Sequence, residues 1–274
     1  RIVAELFADK TDELVAPDLY WDNYELIFQD AVGCKVRHFN TFKRGAFDAE
    51  AMKAALLAPG KKKILILNFP NNPTGAIMTR EELAGIAEVL KDTNILVLSD
   101  EIYAEMTYTG NHCSIASLEG MWERTIIASG FSKAYAMTGW RLGYLCAPKE
   151  ICEQMLKIHQ YGIMSSPTTA QFAAIEALKN GDEDIQMMVD EYNRRRRYIY
   201  NGLKSIGIES FEPEGAFYIF PKIGDYGLSG EEFCNRLLYE HKCAIVPGNA
   251  FGKSGEGFAR ISYAYSIKHI TQAL

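Results

Sequence analysis

Residues 129–143 read SGFSKAYAMTGWRLG and directly follow the apolar run Thr125-Ile126-Ile127-Ala128. Such a run has the length and β-branched character of a short buried strand. Lys133 then falls in a serine- and glycine-rich turn at the strand's carboxyl end, the edge where open α/β sheets place their ligand crevices. Arg141, further along the same stretch, offers a permanently charged planar fork suited to a phosphate, just before the apolar run 142–147. Lysine attacks carbonyls and arginine clamps anions, so the pair suggests a phosphorylated aldehyde held as a Schiff base. Taken alone, a lysine in such a turn is most often a solvated surface charge.

Two further places add to the case, each just past an apolar run. Ile64-Leu65-Ile66-Leu67 leads into Asn68-Phe69-Pro70-Asn71-Asn72-Pro73-Thr74-Gly75. The two prolines fix φ and the glycine permits a positive one, so the turn is rigid and displays Asn72. Ile95-Leu96-Val97-Leu98-Ser99 leads into Asp100-Glu101-Ile102-Tyr103, where an acid at the end of an apolar strand needs a partner or water. Between them, Thr79-Arg80-Glu81-Glu82 has the form of a capping box opening a helix with Leu83, Ile86, Ala87 and Leu90 on one face. Strand, helix and strand at this spacing form a βαβ unit, so the sheet should be largely parallel, with Asn72 and Asp100 at one edge. Singly, Asn72 is equally an Asx-turn residue, Asp100 a cap and Tyr103 a core residue.

NNPTG at 71–75, SDEIY at 99–103 and SGFSKAYAMTGWRLGY at 129–144, in this order, resemble the class I/II aminotransferases of the fold-type I pyridoxal-phosphate enzymes. The resemblance runs from about Trp21 to the end of the chain. It implies an α/β fold, a mostly parallel sheet flanked by helices, with a smaller C-terminal α+β domain. The large domain would span 1–185, without its N-terminal part, and the small one 186–274. It implies pyridoxal 5′-phosphate as cofactor and Lys133 as the lysine that carries it and later moves the substrate proton. Asp100 would pair with the ring nitrogen, Tyr103 and Asn72 with the phenolic oxygen, Arg141 and Ser132 with the phosphate, and Trp21 would lie over the ring. Arg260, with Asn72 beside it, would hold the substrate α-carboxylate. A homodimer is implied by the same analogy. Two departures stand out. Some relatives have a hydroxyl residue where this chain has Gly130, and their N-terminal phosphate-binding turn is not recognisable here, as in an N-terminally incomplete chain.

At 274 residues and 48% hydrophobic, the chain can bury one large or two modest cores. A net charge of −6 and a pI near 5.5 argue against nucleic acid or an anionic membrane as the main partner. No apolar run approaches membrane-spanning length and no signal-peptide pattern opens the chain. The six cysteines lack metal-ligand spacing and suit free thiols in a cytoplasmic protein, while five scattered histidines argue against a metal site or a histidine triad.

The rest of the chain fills in the two expected domains. Residues 2–7 are amphipathic and 17–24 unusually aromatic. Helices are expected over 25–32, 48–57, 150–160, 168–179, 183–205 and 229–240, and strands over 35–41, 208–211, 216–220, 243–247 and 258–263. The basic block Arg194 to Arg197 reads as a solvated helix face or subunit contact rather than a nucleic-acid site, given acidic neighbours. The reaction implied is transfer of an amino group between an α-amino acid, aromatic or of broad range, and a 2-oxo acid. Two alternatives remain: a carbon–sulfur lyase using the same lysine, aspartate and arginine, and a non-catalytic pyridoxal-binding regulatory module.

Overall fold

The computed structural model describes residues 1–39, 49–59 and 62–274. The expected strand 35–41 and helix 48–57 therefore each run partly outside the described residues. Six strands form the main sheet: β1 (Glu13–Pro17), β2 (Lys35–Phe39), β3 (Lys63–Asn68), β4 (Leu96–Asp100), β5 (Thr125–Gly130) and β6 (Gly143–Cys146). Their order is β2-β1-β3-β4-β5-β6, with every neighbouring pair parallel except β5 and β6. Strand β1, whose Leu14-Val15-Ala16 core is cut short by Pro17, is an addition to the strands expected from sequence.

Strand alternation explains how helices cover both faces of the sheet. Ile64 and Ile66 of β3, Leu98 of β4 and Ile126 of β5 face a layer built from α1 (Ile2–Phe7), α2 (Asn23–Val32) and α6 (Lys149–Gly162). Leu65 and Leu67 of β3 and Val97 of β4 face α3 (Ala49–Leu57) and α4 (Arg80–Leu90) on the other side. Helix α4 begins on the expected capping box: Thr79 Oγ1 accepts from the Glu82 N–H at 3.2 Å and the Glu82 carboxylate accepts from the Thr79 N–H at 2.8 Å.

Between β5 and β6 the chain makes one wide excursion, through the single-turn helix α5 (Phe131–Ala134) and a 3₁₀ turn at Thr138–Trp140. Its ends are paired, Gly130 opposite Gly143. Helix α7 (Thr168–Asn180) packs Ala174 against Phe131 and Met137 beneath it.

The long helix α8 (Asp182–Ser205) leads to a three-stranded antiparallel sheet, β7 (Tyr218–Ile219), β8 (Val246–Pro247) and β9 (Ala259–Ser262), in the order β7-β9-β8. Helices α9 (Gly230–His241) and α10 (Ile267–Ala273) complete this part. Three corrections to the sequence reading arise here. Residues 208–211 form no strand; the backbone there makes two hydrogen bonds, Ile208 N–H to Leu203 O at 2.9 Å and Lys222 N–H to Glu209 O at 2.8 Å, and no ladder. The expected strands 216–220 and 243–247 shrink to the pairs in β7 and β8. Arg196 is buried rather than solvated, donating to Glu212 and the Pro213 carbonyl at 2.7 and 2.8 Å, while Arg194 and Arg195 pair with Glu191 on their own helix.

Candidate active site

The parallel register places Asn68 of β3 opposite Asp100 of β4, and Asp100 opposite Ala128 of β5. The turns after these strands therefore open at one edge, and Asn72, Asp100, Tyr103 and Lys133 all arise there.

The first turn is closed by its own side chains. Asn71 Oδ1 accepts from the Thr74 N–H and hydroxyl at 3.0 and 2.7 Å, and Asn68 Oδ1 accepts from the Asn72 N–H at 3.2 Å. Gly75 adopts a φ of +74°, and a Cβ there would lie 2.5 Å from Pro213 Cβ and 2.8 Å from Tyr218 O. Its carbonyl accepts the N–H groups of Glu214 and Gly215 at 2.9 and 2.8 Å, binding this turn to the segment before β7.

That contact brings Arg260 of β9 to the same place. Its Nη1 donates to Asn72 Oδ1 at 2.8 Å, and its guanidinium carbon lies 4.5 Å from the Tyr218 ring centre and 4.6 Å from that of Phe251. Arg260 Nε is buried and has no hydrogen-bond partner among the described residues. Such an orphaned donor is costly unless an acceptor is supplied from outside the chain.

Asp100 is half-buried at the end of β4. It accepts from the Ile102 N–H at 3.2 Å and from the Tyr24 hydroxyl. Burial pushes its carboxyl above the usual carboxylate range, with the Tyr24 and Ile102 hydrogen bonds and the charge of Glu101 acting on it less strongly. Trp21 stands edge-on to Tyr24, ring centres 5.5 Å apart, and is 40% exposed.

Glu101 points elsewhere. It is buried in a network with His112 (2.9 Å), Ser114 (2.6 Å) and Ser99 (2.8 Å). Burial works to raise its pKa, but these bonds hold it below the ordinary value.

Lys133, on α5, is half-buried, its Nζ 5.9 Å from the Tyr103 ring centre and 5.6 Å from that of Phe217. Burial, then the charges of Arg141 and Arg260, hold its ammonium below the ordinary lysine range. Tyr103 is buried, its hydroxyl 3.0 Å from that of Tyr218. Arg141 is exposed at a φ of +56°, its Nη1 donating to Thr138 O at 2.8 Å, and the Thr138 hydroxyl donates to Ser132 O at 2.8 Å. A left-handed arginine in this turn is backbone strain of the kind that collects at functional sites. Gly130 also has a structural reason: a Cβ there would meet Gly143 Cα at 2.9 Å and Leu142 O at 3.0 Å.

Lys133, half-buried Asp100, Tyr103 and Asn72 thus come from successive turns at one edge of the sheet, with Arg260 bonded to Asn72 and its Nε still unused. The family model for aminotransferase class I and II matches residues 1–274. The chain belongs to the class I and II aminotransferases. It is 46% identical over 263 residues to the putative aminotransferase YugH of Bacillus subtilis, which covers 96% of this chain and 68% of the relative. It is 42% identical over 237 residues to aromatic-amino-acid aminotransferase 2 of Thermococcus litoralis, covering 85% of this chain and 61% of that one. A double mutant of Thermus thermophilus aspartate aminotransferase superposes with a TM-score of 0.92 at 33% identity, covering 99% of this chain and 70% of the other. The family and fold depend on pyridoxal phosphate.

The residues present fit that group: a half-buried carboxyl whose pKa burial raises, a lysine whose pKa burial lowers, an exposed arginine whose charge acts on that lysine, and an arginine with one unused donor. Tyr24 and Tyr218 were not singled out from the sequence as site residues. Their only signal was an aromatic residue in an aromatic-rich stretch. Among the described residues no group of three or more potential metal ligands occurs, and no helix is long and apolar enough to cross a membrane.

Proposed function

We propose that this chain carries the site of a pyridoxal-phosphate-dependent aminotransferase that exchanges an amino group between an α-amino acid and a 2-oxo acid. The observation that carries the reading is the convergence of Lys133, Asp100 and Arg260. Lys133 Nζ feels the charge of Arg260, and Asp100 ends the strand beside the one leading to Lys133.

Bound pyridoxal phosphate supplies an aldehyde for the amino group and a ring that draws negative charge away from the substrate Cα. Lys133 is the residue to hold it. Burial and the charges of Arg141 and Arg260 favour its neutral amine, the form that would accept the substrate's Cα proton and hand it back. Asp100 would face the ring nitrogen, whose positive charge would offset the cost of a buried carboxylate. Tyr103 and Asn72 would donate to the phenolic oxygen, and Arg141 with Ser132 would hold the phosphate. Trp21 would cover the ring and exclude water. Arg260 would take the α-carboxylate on its unused Nε edge, a bidentate grip that sets which Cα bond stands upright.

An aromatic or broad substrate range is supported by relatives named for aromatic amino acids and for aspartate, and by the rings of Trp21, Phe217 and Tyr218 around the site. We assign residues 1–185 and 186–274 to a large and a small domain. In support, Ile199 and Leu203 pack with Ile219, Tyr263 and Ile270, apart from the two clusters on the main sheet. A homodimer is supported by exposed apolar side chains on α6 to α8, among them Tyr161 at 95% and Phe172 at 69% exposure. A cytoplasmic location is supported by six free thiols.

The test is incubation with pyridoxal phosphate, reduction by borohydride and location of the label by mass, followed by amino-transfer assays. Label on Lys133 and oxo-acid-dependent transfer, lost in Lys133→Ala, are expected. Label spread over surface lysines would overturn the reading for this chain, and pyruvate release from cystathionine in place of transfer would make it a lyase.

A further inference from the structure

The Arg260 guanidinium carbon lies 4.5 and 4.6 Å from two ring centres, and one of these rings belongs to Tyr218, whose hydroxyl also meets Tyr103 at 3.0 Å. Two aromatic contacts this close restrict how far the guanidinium can turn or swing away. Asn72 Oδ1 takes Nη1 at 2.8 Å, and this fixes the remaining freedom. The edge left over carries Nε, the buried donor without a partner.

The geometry assigns Tyr218 and Phe251 as positioning residues that clamp Arg260 in the plane from which its Nε edge meets an α-carboxylate. This assignment rests on the reading of Arg260 as the carboxylate anchor. Tyr218 has a second role: its hydroxyl fixes that of Tyr103, so one side chain supports both the carboxylate end and the ring-oxygen end of the site.

The local backbone is built to hold this arrangement. Ala216 adopts a φ of +54°, which is unfavourable for a residue with a Cβ. It is held there by its N–H donating to Met106 O at 2.9 Å and its carbonyl accepting from the Tyr263 hydroxyl at 3.2 Å and from Tyr108. The two residues that follow divide the cations of the site, Phe217 lying against Lys133 and Tyr218 against Arg260. Phe251 is anchored from the far side, its carbonyl accepting the Tyr20 N–H at 3.2 Å, next to Trp21.

The rings are tested without cofactor by the rate at which phenylglyoxal modifies Arg260 in the intact chain, read from the peptide mass. Tyr218→Leu and Phe251→Leu should raise that rate on the order of tenfold, whereas Tyr218→Phe, which keeps the ring, should match the wild type. In the loaded enzyme, Tyr218→Leu should raise KM for both the amino acid and the oxo acid by a similar factor, with kcat less affected, because the loss is one of uniform binding. Tyr218→Phe, which loses only the hydroxyl held against Tyr103, should move the pH at which the bound cofactor's visible band changes. An unchanged Arg260 rate in Tyr218→Leu overturns the clamp. A wild-type chain that transfers no amino group would overturn the functional reading, and the phenylglyoxal rates would still decide the clamp.

Discussion

The Tyr24 hydroxyl, carried by α2, donates to Asp100 Oδ2 from 76 residues away in the chain. That bond favours the ionised carboxylate, against the burial that disfavours it. Tyr24→Phe removes it, so the Asp100 pKa rises and less of the carboxylate is ionised at a given pH. Cofactor affinity should fall on the order of tenfold near neutral pH, and the acid limb of its pH profile should move upward. Fluorescence titration of pyridoxal phosphate across pH measures both.

Asp100 also opposes folding when no cofactor is present. Its folded pKa lies above the ordinary value, so its favourable contribution is present below the ordinary carboxylate range and is lost as pH rises through the folded value. In the cofactor-free chain Asp100→Asn should therefore unfold at higher urea than the wild type near pH 7, and the difference should shrink near pH 4. A site residue whose removal stabilises the chain is characteristic of function held against stability.

Glu101 has the opposite sign. Its pKa is held below the ordinary 4.5 by His112, Ser114 and Ser99 against its burial, so it contributes stability above that value and loses it as pH falls through the folded pKa. Glu101→Gln should cost about 1.5–3 kcal/mol near neutral pH and flatten the acid side of the stability profile. Urea midpoints at a series of pH values read both effects.

Gly130→Ala should loosen the junction of β5 and β6, because the new Cβ would meet backbone at 2.9 and 3.0 Å, where nothing can rotate away. About 1–3 kcal/mol of stability should be lost, with Lys133 labelling slowed as its turn shifts. Gly139→Ala, with nothing within 4 Å of its Cβ, should change neither.

Asn72, Asp100 and Lys133, expected together from the sequence, share one property: each sits at or just past the end of an apolar run. Asn72, Asp100 and Lys133 follow β3, β4 and β5, and the parallel register then places them together without further information. Tyr24 and Tyr218 were hidden because their importance comes from partners distant in sequence, Asp100 and Arg260, and nothing local distinguishes them from core aromatics. Residues 208–211 look like a strand, with two apolar side chains in four, but a strand also needs a neighbour, and no ladder forms there. Arg196 was misread for the complementary reason. Within its basic block it is the one whose helical position faces Glu212 and Pro213, and only the fold reveals which face that is.

The bond between Arg260 and Asn72 closes a loop of 188 residues, and Ser254 reaches back to Asp18 across 236. A ribosome therefore delivers Asn72, Asp100 and Lys133 well before Arg260. A nascent chain released as far as β6 has Lys133, Asp100 and Asn72 but not the arginine that bonds Asn72. The Asn72–Arg260 bond can therefore form only after β9 has been synthesised, long after the turns that follow β3, β4 and β5.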